Sequence, residues 1–169
     1  HCGVLPLLRD RHWGKHGALA GAATVFSIHN LAYQGLFPLP LLARAGLMPS
    51  EVGPGSPWEY WGQLNCMKAG ILGADLVATV SPRYAQEIAA GPEFGHGLEG
   101  VLADRLDRLV GILNGIDTTV WDPATDSHIA STFDVKRLAR RAVNKRAVER
   151  RFGFEVSHDL TYCIVSRLT

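Results

Sequence analysis

Short apolar runs alternate along the chain with segments of helical periodicity. Three runs, at residues 24–28, 76–80 and 109–113, are continuously apolar rather than alternating in polarity. A continuous run is typical of a strand that is buried on both faces of a parallel sheet. Since helical segments separate these runs, the pattern predicts an α/β fold in which helices cover both faces of a parallel sheet.

Helices are predicted between the strands from apolar residues at helical spacing. They span residues 4–13, 39–45, 62–74, 98–106 and 134–152, with a further helix after Ser81. Ser81 followed by Pro82 is a favourable helix start, because Ser caps free backbone N–H groups and Pro suits the first helical position. Irregular structure is predicted at residues 50–57, 91–97 and 118–132, and a fourth strand at residues 162–165.

Polar residues follow each predicted strand directly. In chain order they are His29 with Asn30, then Ser81, then Asn114, and finally Ser166 with Arg167. In parallel sheets, ligands bind outside the carboxyl ends of the strands. A single polar residue at a strand end most often only begins a turn. Four such ends together indicate a binding cleft.

The composition is that of a globular protein. The 169 residues are 47% hydrophobic and 20% charged, with a formal net charge of +1, which argues against disorder and against a general nucleic-acid binder. No apolar run approaches the roughly 18 residues that a membrane helix needs, and no signal peptide is visible. The cysteines, Cys2, Cys66 and Cys163, are odd in number and widely spaced, which favours reduced thiols in a cytosol-like compartment.

Several short motifs are weak indications of chemistry. Residues 95–100 match G-x-G-x-x-G, and Asp117 follows at about the spacing of a dinucleotide site. A predicted helix rather than a strand precedes this motif, so we do not expect a dinucleotide site. The histidines have no zinc-site spacing, and the chain contains no phosphate-binding loop and no nucleophile elbow.

The predicted helix at residues 134–152 is strongly basic. We expect its basic residues to face solvent while an apolar stripe packs inward; the alternative is a surface that binds a membrane or a polyanion. The stripe consists of Val135, Leu138, Ala142 and Val143.

Three aromatic residues, Trp58, Tyr60 and Trp61, cluster after a segment rich in Gly and Pro. Clustered aromatic residues most often belong to a core, but an exposed ring can stack on the apolar face of a sugar. Their spacing alone does not decide between a core and a sugar platform.

Longer motifs extend along nearly the whole chain. They are TVFSIHNLAYQGLFP (24–38), NCMKAG (65–70), ATVSP (78–82), PEFGHGLEG (92–100), GILNGID (111–117), WDPATD (121–126) and VSRLT (165–169). Together they closely resemble the family of bacterial glycogen synthases and plant starch synthases. The first eight residues look like the family's Asp-Trp-His-x-Gly-Leu segment, beginning at its His.

The resemblance implies a GT-B fold, in which two Rossmann-like domains face each other across a cleft. Residues 1–117 would be the later part of the N-terminal domain. Residues 118–158 would be the inter-domain connection with the basic helix, and residues 159–169 the first strand of the C-terminal domain. We therefore expect an internal fragment of a longer enzyme, inactive on its own.

The reaction implied by the resemblance is transfer of glucose from ADP-glucose to the non-reducing end of an α-1,4-glucan, with retention of configuration. His29, at the donor sugar, and Arg167, at the diphosphate, are the expected catalytic residues. Substrate-binding positions are expected at His1, Asn30, Asn114 and Gly115, and again at Arg167.

No metal or cofactor, no nucleic acid and no membrane are implied, and the expected location is the cytoplasm of a bacterium or the plastid of a plant. Two alternatives stay open: another GT-B transferase that uses UDP-glucose, and a non-catalytic glucan-binding fragment.

Overall fold

The structure is a computed structural model that describes residues 1–14, 16–157 and 160–162. Contacts divide the chain into two units, His1–Asn114 and Gly115–Thr169. Most of the predicted strand at residues 162–165 lies outside the described residues, and so do Ser166 and Arg167. Tyr162 itself is described and lies outside regular secondary structure.

The elements of the described residues are short. The strands are β1 (Val25–Ile28), β2 (Leu36–Phe37), β3 (Glu59–Tyr60), β4 (Gln63–Asn65), β5 (Leu76–Thr79) and β6 (Leu109–Gly111). The α-helices are α1 (Leu5–Trp13), α2 (Cys66–Gly73), α3 (Pro82–Ala90), α4 (Pro92–Gly95), α5 (Glu99–Ala103) and α6 (Arg141–Phe152). Short 3-10 helices span Cys2–Val4, Leu39–Ala45, Pro49–Glu51, Leu106–Arg108 and Val135–Arg140.

The predicted parallel sheet is confirmed. Its strand order is β1-β5-β6, and both strand pairs are parallel. The central strand β5 is the most buried, which explains its continuous apolar run. Side chains of α2, α3 and α5 form the core against it, with Ile71, Ile88 and Leu102 almost fully buried beside Val77.

A small antiparallel sheet of order β2-β4-β3 was not predicted. The sequence indicated one helix over residues 62–74, but residues 63–65 form β4 and the helix begins only at Cys66. Asn65 sets this boundary, because its side chain accepts a hydrogen bond from the backbone N–H of Lys68 and caps α2.

Other boundaries in the first unit differ by smaller amounts. The segment 91–97, predicted as a loop, contains the single turn of α4, and the predicted helix at 98–106 is reduced to α5. The segment 39–45 is a 3-10 helix that ends at Gly46, whose φ of 74° is left-handed. Ser81 caps α3 as predicted, by accepting from the N–H of Tyr84 at 2.9 Å.

The second unit corrects the prediction of one long basic helix. The segment is a 3-10 helix at Val135–Arg140 followed by α6, and the backbone of Arg137, inside the 3-10 helix, is non-helical (φ −127°, ψ 39°). Because helical periodicity does not continue through the break, the predicted apolar stripe is not packed inward. Val135 is 87% exposed, and Leu138 and Val143 are exposed as well. Residues 118–132 are irregular, as predicted.

None of the helices in the described residues is long and apolar enough to cross a membrane.

Candidate functional site

The three parallel strands end level with one another. Ile28 pairs with Thr79, and Thr79 pairs with Gly111, so the last residues of β1, β5 and β6 are neighbours. The Thr79 hydroxyl also donates to the carbonyl of Ile28 at 2.8 Å. The chain therefore leaves all three strands at one edge of the sheet, as the sequence predicts. We call this the carboxyl edge.

His29 and Asn30 lie at the carboxyl edge, between two anchored residues. Ile28 before them and Leu31 after them are almost fully buried, while both polar residues are exposed. The Asn30 side-chain oxygen accepts from the N–H of Ala32 at 2.9 Å, which forms an Asx turn. Within the described residues the His29 imidazole has no hydrogen-bond partner. The fold thus fixes the backbone of His29 and leaves its imidazole available to a ligand.

Ser81 has a structural explanation. It is half-buried, and its hydroxyl is used to cap α3. The start of α3 therefore explains why a polar residue stands at position 81.

Asn114 follows β6 by three residues and is exposed. The strand ends at Gly111, two residues earlier than predicted, and Gly111 packs against the start of α3: a Cβ at Gly111 would lie 2.1 Å from the carbonyl oxygen of Ser81. The N–H of Ile112 still donates to Thr79 at 2.7 Å before the chain leaves the sheet. Asn114 ends the first unit, and Gly115, also exposed, begins the second.

His1 contacts other residues than those at the carboxyl edge. Its ring is 5.4 Å from that of Phe37, and both line a pocket of about 330 Å³ that also contains Leu64 and Cys66. Burial raises the pKa of the Cys66 thiol. The backbone nitrogen of His1 lies 3.7 Å from the position that a Cβ would take at Gly35, in the loop that follows His29. His1 thus contacts the far end of that loop.

A buried hydrogen-bond network supports the loop after His29, and sequence reasoning missed it. The fully buried Asn65 donates to the side-chain oxygen of Gln34 at 2.6 Å. Gln34 in turn donates to the carbonyl of His96 at 2.8 Å. The Gln34 and Asn65 side chains are 31 residues apart, and no spacing rule pairs them. The only signal was that both are polar residues within apolar motifs.

The opposite edge of the sheet, the amino edge, is closed by internal pairs. The Asp75 carboxylate accepts from the backbone N–H of Thr24 at 2.7 Å and from its hydroxyl at 3.0 Å. These bonds, with the Arg9 guanidinium at 3.3 Å, lower the pKa of Asp75. The Arg105 guanidinium donates to the carbonyl of Ala74. The polar groups at this edge are therefore paired with one another, and these pairs stabilise the fold.

A pocket of about 520 Å³ lies within the second unit. Its lining includes Phe133, Arg141, Lys145 and Tyr162, with Arg141 over the Phe133 ring and Lys145 over the Tyr162 ring. Asn144 holds one wall by exchanging two 2.8 Å hydrogen bonds with the backbone of Ser131.

The weak motifs carry no site in the described residues. The G-x-G-x-x-G segment follows the predicted helix, α3, and begins at the end of the unpredicted turn α4, so it lacks the strand that a dinucleotide site requires. No group of His, Cys, Asp and Glu that could hold a metal ion occurs in the described part of the chain.

The family described as the starch synthase catalytic domain matches residues 1–104. A glycogen synthase of Rhodopseudomonas palustris (strain BisA53) is 52% identical over 148 residues, which is 87% of this chain and 30% of that protein. One from Anaeromyxobacter dehalogenans is 48% identical over 169 residues, 99% of this chain and 35% of the relative. The chain thus spans about a third of the length of these relatives.

A solved structure has the same fold. It is the catalytic domain of starch synthase IV from Arabidopsis thaliana, bound to ADP and acarbose, and it superimposes with a TM-score of 0.70 at 31% identity. The match covers 94% of this chain and 32% of that structure.

Proposed function

The chain belongs to the starch synthase catalytic domain family, and from that premise we propose that it is part of a glycogen or starch synthase. The complete enzyme transfers glucose from ADP-glucose to the 4-hydroxyl at the non-reducing end of an α-1,4-glucan, with retention. The observation that carries this proposal is the carboxyl edge, where exposed polar side chains follow strands that end level with one another.

His29 is the residue to which we assign the donor glucose. Its backbone is anchored on both sides by buried residues, and its imidazole is exposed. An imidazole both donates and accepts hydrogen bonds, so it can bind sugar hydroxyls in a fixed orientation. As the glucose ring flattens towards an oxocarbenium-like state, such fixed contacts lower the barrier without reorganisation. Asn30, with its backbone turn fixed by Ala32, borders the same position.

Asn114 is assigned to the same edge because it follows β6, and Gly115 is the next residue along the chain. β1 and β6 flank β5, so their ends are about 10 Å apart, twice the usual strand spacing. That separation suits a bound hexose. The Asn114 amide offers a donor and an acceptor, and Gly115 lets a ligand approach the backbone. His1 is assigned to the cleft by its place in the family's Asp-Trp-His-x-Gly-Leu segment, and its backbone nitrogen lies near Gly35 in the loop that follows His29.

Arg167 is the proposed partner of the diphosphate. Negative charge accumulates on the leaving ADP as the glycosidic bond breaks. A guanidinium stays charged and offers forked donors, so it stabilises that charge. Its assignment rests on the VSRLT motif at residues 165–169.

The proposed domain arrangement follows the family fold. Residues 1–117 form the later part of the N-terminal domain, residues 118–158 the inter-domain connection, and residues 159–169 begin the C-terminal domain. The ADP and acarbose bound to the starch synthase IV catalytic domain support an adenine nucleotide donor and a glucan acceptor for this enzyme too.

The test is a donor comparison with the complete enzyme that contains this chain. We expect glucose to be incorporated into glycogen from ADP-glucose, and much more slowly from UDP-glucose. A clear preference for UDP-glucose would overturn the donor assignment. Glycogen binding without transfer from either donor would favour the non-catalytic alternative.

A further inference from the structure

The β3–β4 hairpin has an unusual residue at its tip. Tyr60 pairs with Gln63, so Trp61 and Gly62 alone form the turn. Their φ values of 52° and 77° are both left-handed, which identifies the turn that two-residue hairpins prefer. That turn favours Asn followed by Gly. A Trp at its first position is strained, because a bulky side chain is disfavoured at positive φ.

Trp61 is also the most exposed aromatic residue of its cluster. Its exposed fraction is 86%, whereas Trp58, three residues earlier, is 6% exposed and belongs to the core. The stability of the core therefore explains Trp58. It does not explain Trp61, whose positive φ is strained and whose apolar ring is exposed to water. Backbone strain of this kind concentrates at binding sites.

The base of the hairpin is rigid. The buried Lys68 ammonium donates to the carbonyls of Ser56 at 3.0 Å and Glu59 at 2.7 Å, and it lies 5.2 Å from the centre of the Tyr60 ring. The Glu59 carboxylate accepts from the N–H of Gly62 at 2.6 Å, which fixes the turn. The turn is thus held in place before any ligand binds, and a preorganised surface binds at a lower entropic cost.

The hairpin is also tied to the segment that follows α4. The Tyr60 hydroxyl donates to the carbonyl of Gly97. The Tyr60 ring lies 5.8 Å from that of Trp61, tilted by 59°, so the indole has one aromatic neighbour on the hairpin. One residue of the cluster therefore serves as the support, and the next presents its ring to solvent.

We propose that Trp61 is a stacking platform for the α-1,4-glucan acceptor. The identity of the ligand rests on the function proposed above. A glucose ring offers a flat C–H face to an aromatic ring, and its hydroxyls need polar neighbours. Gly62 and Gln63, which follow Trp61, are both exposed. The flat apolar indole therefore lies beside backbone and side-chain amide groups that can bind the sugar hydroxyls. A protein interface would instead require a contiguous apolar patch.

The test compares two variants of the complete enzyme. Trp61→Asn installs the residue that the turn prefers and removes the ring, so the melting temperature should stay the same or rise. Its Kd for maltohexaose and for glycogen should increase about tenfold, the upper range of an aromatic stacking contact. Trp61→Tyr keeps a ring and should stay close to the wild-type Kd. The KM for ADP-glucose should not change in either variant.

Met48→Asn is the matched control, because it removes an exposed apolar side chain of the same unit that is not aromatic. It should leave the Kd for glucan unchanged. An unchanged Kd for glucan in Trp61→Asn would overturn the platform. The proposed function would still be supported if the wild-type enzyme transfers glucose from ADP-glucose. If the exposed indole instead contacts a second copy of the enzyme, Trp61→Asn should reduce self-association and leave the Kd for glucan unchanged, which would also overturn the platform. If wild type neither binds glycogen nor transfers glucose, the proposed function fails first.

Discussion

The two edges of the parallel sheet differ in how their polar groups are used. At the amino edge, Asp75 is bound by Thr24 and Arg9, so its carboxylate has partners within the fold. At the carboxyl edge, His29 follows the buried Ile28 and Asn114 follows β6, and both are exposed. The parallel pairing extends to both ends of the strands, so strand pairing does not cause the difference. Polar groups that the fold already pairs stabilise it, and those that it leaves unpaired are available for substrate.

The largest expected effect is at Arg167, the cation that the family resemblance assigns to the diphosphate. Arg167→Ala in the complete enzyme should reduce turnover by a factor of order 10² or more, since the lost interaction strengthens as ADP leaves. Arg167→Lys should restore only part of this, because Lys lacks the forked donors. Turnover numbers with saturating ADP-glucose and glycogen measure both, and wild-type turnover in the Ala variant would refute the role.

Gly111→Ala tests the packing beneath the carboxyl edge. The added methyl would lie 2.1 Å from the backbone oxygen of Ser81, so β6 and the start of α3 must separate. We expect a loss of about 2–3 kcal/mol in the free energy of unfolding. Gly100→Ala is the control, because nothing lies within 4 Å of its added methyl. Equal denaturation midpoints for the two variants would show that the packing at Gly111 has been misjudged.

Asn65→Ala tests the network that supports the loop after His29. It removes the cap of α2 and leaves Gln34 without its buried partner, so we expect a loss of about 1–3 kcal/mol in the free energy of unfolding. The double variant with Gln34→Ala should lose less than the sum of the two single changes, since both remove the same bond. Strict additivity in urea denaturation would argue against the network.

The sequence predicts those parts of the fold that are determined by residues close together in the chain. The three parallel strands and the Ser81 cap follow from local patterns and are confirmed. The boundary at Asn65 was missed because the apolar spacing of Leu64, Met67 and Ile71 continues from strand into helix. The break at Arg137 was missed because no Gly or Pro marks it.

The candidate site shows the same limit. A polar residue directly after an apolar run is visible in the sequence, which is why His29 could be singled out. Whether the fold pairs that residue is decided by side chains far along the chain. Gln34 meets Asn65 across 31 residues and Thr24 meets Asp75 across 51, and periodicity carries no information about such partners. Trp61 could not be separated from Trp58 for the same reason.

The smallest expected effect is at the amino edge. Asp75→Asn weakens the bonds from Thr24 and Arg9, and because the carboxylate is half-exposed we expect a loss of only about 1 kcal/mol in the free energy of unfolding. The KM for ADP-glucose should not change. A large kinetic effect with normal stability would contradict the assignment of this edge to folding.

The same carboxylate predicts a pH dependence. Its pKa is lower in the folded chain than its ordinary value, because Thr24 and Arg9 stabilise the charged form. Its contribution is therefore fully present above about pH 4, and it is lost as the pH falls through the lowered pKa. The stability difference between wild type and Asp75→Asn should shrink over that acidic range. A difference that grows on acidification would contradict the direction of the shift.

The most direct test of the central claim is glucose transfer from ADP-glucose to glycogen by the complete enzyme carrying His29→Ala, measured beside His16→Ala. Both residues are exposed histidines of the first unit, but only His29 lies at the carboxyl edge. We predict a fall in transfer of order 10²-fold for His29→Ala with an unchanged melting temperature, and wild-type transfer for His16→Ala. Wild-type transfer by His29→Ala would contradict the assignment of the carboxyl edge to the donor sugar.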